Sequence, residues 1–143
     1  MQLIPINYNY KTGDIYFEIY KQTHNIYNKK LEYPICYDVE DRTQLSLSNL
    51  ERTEIVKAFC DAIEKAGYYA MLYCNLNWYN NYFIREEIEK YDLWIAEWSA
   101  AKPSVECGIW QYSDKGSLDY INGNVDLNIS YKNYPEIMIK KGL

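Results

Sequence analysis

Short apolar runs alternate along this chain with segments whose apolar residues recur at helical spacing. Residues 68–74 are almost wholly apolar, as expected of a strand that is covered on both faces. The preceding segment opens with Ser48 and Glu51 at the spacing of a capping box, continues with apolar residues at helical intervals and ends at Gly67. This repeated strand–helix unit indicates an α/β architecture with parallel strands.

The same criteria divide the rest of the chain. Strands that alternate with helices are predicted at residues 3–8, 33–39, 68–74 and 93–98. The intervening helices are predicted after Thr12-Gly13-Asp14, between Ser48 and Gly67, and as one or two short helices within residues 75–91. Beyond them, bare strands are predicted at residues 108–112, 118–121 and 125–129, before a last helix at about residues 135–141. This order fits an open parallel sheet or part of a barrel, and periodicity does not choose between them.

Composition excludes several classes of function. The 143 residues are 48% hydrophobic and carry a formal net charge of −5, which fits one globular domain over residues 1–143. The 15 basic residues are scattered, so the charge pattern argues against a nucleic-acid partner. The longest apolar stretch, residues 69–74, is far short of the roughly 20 residues that span a bilayer, so no membrane segment is predicted. Residues 1–5 have neither a basic leader nor a long apolar core, and no secretory signal is predicted.

Cysteine and histidine usage argues against a metal centre. The four cysteines, Cys36, Cys60, Cys74 and Cys107, have apolar or aromatic neighbours and no pair at metal-ligand spacing. We expect buried free thiols, with a structural disulfide as the alternative. The single histidine, His24, excludes a site with several histidine ligands and argues against a histidine-based triad.

Two acids close the strand predicted at residues 33–39. Because side chains alternate along a strand, Asp38 and Glu40 share one face, while Ile35, Tyr37 and Val39 point to the helix-covered face. Carboxylates two residues apart lie roughly 6 to 7 Å from each other. The carboxyl ends of parallel strands are where α/β sheets and barrels build active sites, so a paired-carboxylate glycosidase site fits. A strand that ends in a solvated acidic loop is the alternative.

Six segments then add a family resemblance. They occur in order at residues 31–41 (LEYPICYDVED), 58–61 (AFCD), 64–69 (EKAGYY), 91–96 (YDLWIA), 110–113 (WQYS) and 123–128 (GNVDLN). Together they resemble the family 25 glycoside hydrolases, the muramidases found among bacterial and phage cell-wall lysins. The resemblance extends over the chain from about residue 31 and, more loosely, over residues 1–28.

The resemblance implies a specific reaction and the acidic residues that would catalyse it. It implies cleavage of the β-1,4 bond between N-acetylmuramic acid and N-acetylglucosamine in peptidoglycan, without a metal or organic cofactor. Glu40 matches the general acid, Asp38 its partner carboxylate that stays ionised, and Asp126 a further acid near the last strand. The pKa of Glu40 is then expected to be raised. The spacing of Asp38 and Glu40 falls between the retaining and inverting ranges and leaves the stereochemical outcome open.

The resemblance also implies the residues that bind substrate and the place of action. Trp110 and Gln111 match a pair that lines the cleft, and Trp98 and Tyr73 are further candidates for contact with the sugars. Peptidoglycan glycan strands are the expected partner. The protein is then expected in the cytoplasm until it is released, or outside the cell at the wall if the chain belongs to a longer secreted protein.

The sequence departs from the family at its beginning. Family domains open with a strand that carries Asp-Val-Ser, and no such motif precedes Tyr33. The predicted fold is therefore an incomplete TIM-like (β/α) barrel that lacks its first two strands and resembles the C-terminal two thirds of the family domain. Exposed sheet edges at residues 3–8 and 125–129 then predict a homodimer. The alternatives are an inactive remnant that binds peptidoglycan or self-assembles, and an unrelated tyrosine-rich α/β domain.

Overall fold

The computed structural model describes residues 30–143. The strands are β1 (Ile35–Asp38), β2 (Ala70–Asn75), β3 (Asp92–Ala96), β4 (Ile109–Gly116) and β5 (Val125–Ser130). The helices are α1 (Asn49–Lys65), α2 (Leu76–Asn81), α3 (Arg85–Ile88) and α4 (Tyr134–Lys141), and a 3-10 helix spans Arg42–Ser46. The strand predicted at residues 3–8 and the helix predicted after Thr12 lie outside the described residues.

One sheet contains these five strands in the order β1-β2-β3-β4-β5. The first four strands are parallel to one another, and β5 runs antiparallel beside β4. Helices connect β1 to β2 and β2 to β3, whereas residues 97–108 connect β3 to β4 without a helix. The prediction of strand–helix units followed by bare strands is confirmed in this part of the chain. The absence of two barrel strands stays a prediction.

Helix α1 begins at the predicted capping box. The Glu51 backbone N–H donates to Ser48 Oγ at 3.2 Å, and the Ser48 backbone N–H donates to Glu51 Oε2 at 2.8 Å. After the helix, Gly67 adopts a left-handed φ of 81°, which a residue with a side chain rarely adopts. Both ends of α1 therefore follow from local sequence.

Apolar side chains cover both faces of the sheet. On the helix side, Tyr37 of β1 stacks on Phe59 of α1 with ring centroids 4.5 Å apart. The opposite face holds a second core, to which α4 contributes Tyr134 and Met138. All four cysteines are buried and free, as predicted. No helix within residues 30–143 is long and apolar enough to cross a membrane.

The strand predicted at residues 118–121 is wrong. Strand β4 continues to Gly116 and pairs with β5 instead, so residues 117–124 form the connecting loop of a hairpin. Within that loop Leu118 and Ile121 are half exposed and Tyr120 is fully exposed, so these apolar residues pack in no sheet. The strand predicted to reach Trp98 also ends earlier, at Ala96.

Candidate active site at the carboxyl ends of the strands

Strand β1 places two acids at the carboxyl end of the sheet. Cys36 belongs to the core on the face opposite α1, so alternation brings Asp38 to the same face, as predicted. The Val39 backbone N–H donates to the carbonyl of Tyr73 at 3.0 Å and continues the strand pairing past Asp38. Glu40 follows at once and is more exposed than Asp38. Pairing with β2 thus holds the backbone of Asp38 and of Val39, the residue between the two acids.

Asp38 is the more unusual of the two carboxyl groups. Its Oδ1 is buried and has no hydrogen-bond partner among the described residues. Burial, followed by the negative charges of Glu40 and Asp41, raises the pKa of Asp38 to about 7. Asp38 therefore carries a proton at mildly acidic pH, which differs from the expectation that it stays ionised. Burial was not visible in the sequence, and it is the largest cause of the shift.

Glu40 and Asp126 are electrostatically coupled. Partial burial and then the charge of Asp126 raise the pKa of Glu40, which confirms the predicted direction. Asp126 is the second residue of β5, four strands away in sheet order from β1. The pKa of Tyr73 is raised by its burial and then by the charges of Glu40, Asp38 and Asp126. The charges of the three predicted acids therefore all act on the hydroxyl of Tyr73.

Gln111 connects the sugar-binding candidates to these acids. Its buried Oε1 accepts hydrogen bonds from Tyr73 Oη at 3.3 Å and from Trp98 Nε1 at 3.0 Å. Trp98 is 51% exposed, so its indole is fixed at one edge while much of its ring stays open to solvent. Three of the four predicted substrate-binding residues therefore form one connected group.

The fourth candidate, Trp110, lies elsewhere. It is buried in the core on the helix side, and its Nε1 donates to the carbonyl of Glu97 at 2.9 Å. Gln111 faces the acids, so alternation along β4 turns its neighbour Trp110 to the opposite face. The prediction that Trp110 lines the cleft is corrected on this ground.

The sequence interpretation missed Asn128. Its Oδ1 accepts a hydrogen bond from Trp94 Nε1 at 2.8 Å, on the face of the sheet opposite α1. Asn128 lies two residues after Asp126 in β5, so the alternation that placed Asp38 and Glu40 on one face also places this pair on one face. That signal was present in the sequence.

Arg52 fixes the loop that follows the acids. Its buried guanidinium donates to the carbonyls of Gln44 at 2.8 Å and Tyr82 at 2.9 Å, and also to the carbonyl of Leu47. Asp41 caps the 3-10 helix of this loop, because its Oδ1 accepts from the backbone N–H of Thr43 at 2.8 Å. Asp41 therefore has a structural role in this loop, and its charge also contributes to the raised pKa of Asp38.

The profile of the family described as "Glycosyl hydrolases family 25" matches residues 12–121, more than half of the chain. The chain belongs to this family. Among curated relatives, the Escherichia coli O157:H7 protein YegX, which is uncharacterized, is 29% identical over 102 residues, covering 68% of this chain and 36% of YegX. The autolytic lysozyme of Clostridium acetobutylicum is 29% identical over 100 residues, covering 68% of this chain and 30% of the lysozyme.

Solved structures support the fold of this family 25 chain. The CTP1L endolysin superposes with a TM-score of 0.75 at 18% identity, covering 92% of this chain and 46% of the endolysin. The five described strands correspond to half of a TIM-like barrel sheet. This family 25 chain spans about a third of the length of the curated relatives it matches.

No group of three His, Cys, Asp or Glu side chains within the described part of this family 25 chain is arranged to hold a metal ion. The charge of Glu40 raises the pKa of Asp38, and the charge of Asp126 raises that of Glu40. All three charges raise the pKa of Tyr73. The chemistry that such an arrangement can perform is proton transfer and charge stabilisation by carboxyl groups.

Asp38→Asn is expected to stabilise the family 25 fold at pH 8 by on the order of 2 kcal/mol and to have little effect at pH 4. The pKa of Asp38 is about 7 in the folded chain, above its value of roughly 4 in an unfolded chain. The wild type therefore loses stability as the pH rises from about 4 through about 7, whereas asparagine carries no charge to bury. Urea unfolding of both proteins at the two pH values measures the difference. An equal effect at both would contradict the burial of an ionisable Asp38.

Proposed function

We propose that this chain is a lysozyme-type glycoside hydrolase that cleaves the β-1,4 bond between N-acetylmuramic acid and N-acetylglucosamine in peptidoglycan. The observation that carries the proposal is the electrostatic coupling of Asp38, Glu40 and Asp126 to one another or to Tyr73, with raised pKa values at Asp38 and Glu40. Membership of family 25 supports it, as does the name of the autolytic lysozyme. Action at the cell wall follows from the substrate.

Glu40 is the proposed general acid. It is more exposed than Asp38, so its carboxyl group can reach a bound glycan, and its raised pKa favours the protonated form that a general acid needs. A general acid in a glycosidase donates that proton to the oxygen of the leaving sugar as the glycosidic bond breaks. The new charge on the sugar ring is then opposed by the remaining carboxylates.

Asp38 is the proposed partner carboxyl group. Two acids that interact strongly titrate as a pair, and the singly protonated pair can hold its proton on either group. With the proton on Glu40, Asp38 is ionised and can stabilise the oxocarbenium-like transition state. With the proton on Asp38, the burial cost of its charge is avoided. In the catalytic form of the pair, Glu40 carries the proton and Asp38 is ionised.

Substrate binding is assigned to Trp98, Gln111 and Tyr73. The half-exposed ring of Trp98 offers an apolar surface to the face of a sugar, and its hydrogen bond to Gln111 limits its rotation. Gln111 Oε1 already accepts from Trp98 and Tyr73, so its amide N–H groups are the part of the side chain left to donate to a sugar oxygen.

Asp126→Asn is expected to move the alkaline limb of the pH–activity profile to lower pH. The charge of Asp126 raises the pKa of Glu40, so its removal lets Glu40 lose the catalytic proton at a lower pH. Burial is the larger cause of the shift and persists in the variant, so Glu40 keeps part of its raised pKa. Rates of wall hydrolysis between pH 4 and 9 test this; an alkaline limb that stays in place or moves upward would contradict the assignment.

The proposed reaction is tested by identifying the new reducing ends that it creates in the glycan. Purified peptidoglycan is incubated with the chain, the new reducing ends are reduced with borohydride, and the released sugars are identified by mass spectrometry. Reduced muramic acid is the expected product. Reduced glucosamine in its place would identify a different bond, and wall binding without any new reducing end would favour the inactive peptidoglycan-binding alternative.

Two further predictions remain proposals. A single domain over residues 1–143 and a homodimer formed through exposed sheet edges are both compatible with a sheet whose outer strands, within the described residues, are β1 and β5. Light scattering over a dilution series measures the association. A monomer at high micromolar concentration would contradict the dimer.

A further inference from the structure

The hairpin of β4 and β5 extends beyond the rest of the sheet on the side of the acids. Pairing between β3 and β4 ends where Ala96 faces Gln111, whereas β4 continues to Gly116 and stays paired with β5. Five further residues of strand carry the hairpin roughly 15 Å past the end of β3. Asp126 lies on the returning strand, one residue after β5 begins. The loop that closes the hairpin, residues 117–124, therefore lies next to Asp126 along the chain.

Three large apolar side chains are exposed at this tip. Leu118 is 52% exposed, Ile121 is 51% exposed and Tyr120 is completely exposed. They lie within four consecutive residues of a turn, in which the Ile121 backbone N–H donates to the carbonyl of Leu118 at 3.2 Å. A cluster of apolar side chains held in solvent next to a site is typical of a contact surface.

The backbone at Tyr120 adds a second observation. Its φ is 69°, in the left-handed region that large side chains rarely adopt, and it occupies the third position of the turn, where glycine is the usual residue when φ is positive. An aromatic side chain there has an energetic cost and gains nothing from packing within the described fold. Such a cost is typical of residues that are kept for binding.

We propose that Leu118, Tyr120 and Ile121, here called the hairpin tip, form a second contact for the glycan strand, outside the catalytic group. This inference rests on the proposed function, because the occupant is the same polymer. A polysaccharide extends past the bond that is cleaved, and the hairpin leads from Asp126 to the tip. The apolar C–H faces of its sugars match an exposed tyrosine ring flanked by two aliphatic side chains.

The test measures binding in a protein that does not consume the polymer. The full chain with Glu40→Gln is titrated with purified glycan strands freed of stem peptides, with and without Tyr120→Gly. Glycine suits the positive φ, so Tyr120→Gly is expected to keep or raise the melting temperature while the Kd for the glycan rises about fivefold or more. Tyr131→Ala is the control, because Tyr131 is also an exposed tyrosine, at 53%, but follows the opposite end of β5. Its Kd should stay within about twofold of the parent.

Three results would overturn the proposal. In the first, Tyr120→Gly binds the glycan as tightly as its parent. In the second, it loses binding only to glycan strands that keep their stem peptides. In the third, Tyr120→Gly converts a dimer into a monomer in light scattering. The last result would make the tip an interface between copies of this chain. Failure of the proposed reaction is recognised separately, by the absence of new reducing ends with the wild type, and it leaves the binding measurement valid.

Discussion

Glu40→Gln is expected to lower the rate of peptidoglycan hydrolysis by at least about 100-fold while leaving the fold intact. Glutamine keeps the size of the side chain but has no proton to give to the leaving sugar. Glu40 follows β1 and belongs to neither apolar core, so the amide leaves the core packing in place. The decrease should appear in the rate at saturating substrate, because the lost proton transfer belongs to the chemical step.

The loss of wall turbidity over time measures this effect, and the melting temperature serves as the check on folding. Glu86→Gln is the matched control, since Glu86 is an exposed glutamate in α3, which precedes the amino end of β3. Its activity should equal that of the wild type. Activity of Glu40→Gln within about threefold of the control would remove Glu40 from the role of general acid.

Gly108→Ala is expected to destabilise the fold by about 3 kcal/mol or more, enough to lower the yield of folded protein. A Cβ atom at this position would lie 1.8 Å from Tyr134 Oη and 2.6 Å from Asp92 Oδ1. Tyr134 is fully buried, and its hydroxyl donates to Asp92 Oδ2 at 2.9 Å. The methyl group therefore cannot enter without displacing α4 or breaking this hydrogen bond.

Thermal unfolding of Gly108→Ala, Tyr134→Phe and the double variant tests this explanation. Tyr134→Phe removes the oxygen that the new Cβ would meet first, so the double variant should be more stable than the sum of the two single effects predicts. A melting temperature of Gly108→Ala close to that of the wild type would show that Tyr134 of α4 does not pack tightly against Gly108.

Local patterns in the sequence predicted much of the fold. The capping box of Ser48 and Glu51, the end of α1 at Gly67 and the division of β1 into two faces depend on neighbouring residues only, and the structure confirms all three. The free state of the four cysteines was equally accessible from their apolar surroundings. The hairpin of β4 and β5 was harder to predict from the sequence, because the pairing of β4 with β5 changes register twice between Gln111 and Gly116.

The sequence supplied candidate residues for the site, whereas the strength of their electrostatic interactions depends on the fold. The family resemblance selected Asp38 at the end of β1, Glu40 just after it and Asp126 in β5, the last of the five described strands. The strongly raised pKa of Asp38 depends on how deeply neighbouring strands bury it, which the sequence does not express. The network around Asp92 was missed for a similar reason. It joins Tyr69, Lys132 and Tyr134, which come from distant parts of the chain.

The central claim is that Asp38, Glu40 and Asp126 form one coupled group of acids. Titration of their side-chain carboxyl carbons by NMR tests it most directly, in the wild type and in Glu40→Gln. We expect Asp38 to titrate near pH 7 in the wild type and at lower pH in Glu40→Gln, because the charge of Glu40 contributes to the shift. Glu40 should titrate above the ordinary range of a glutamate. Ordinary pKa values for both acids, with no change at Asp38 when Glu40 is replaced, would contradict the claim.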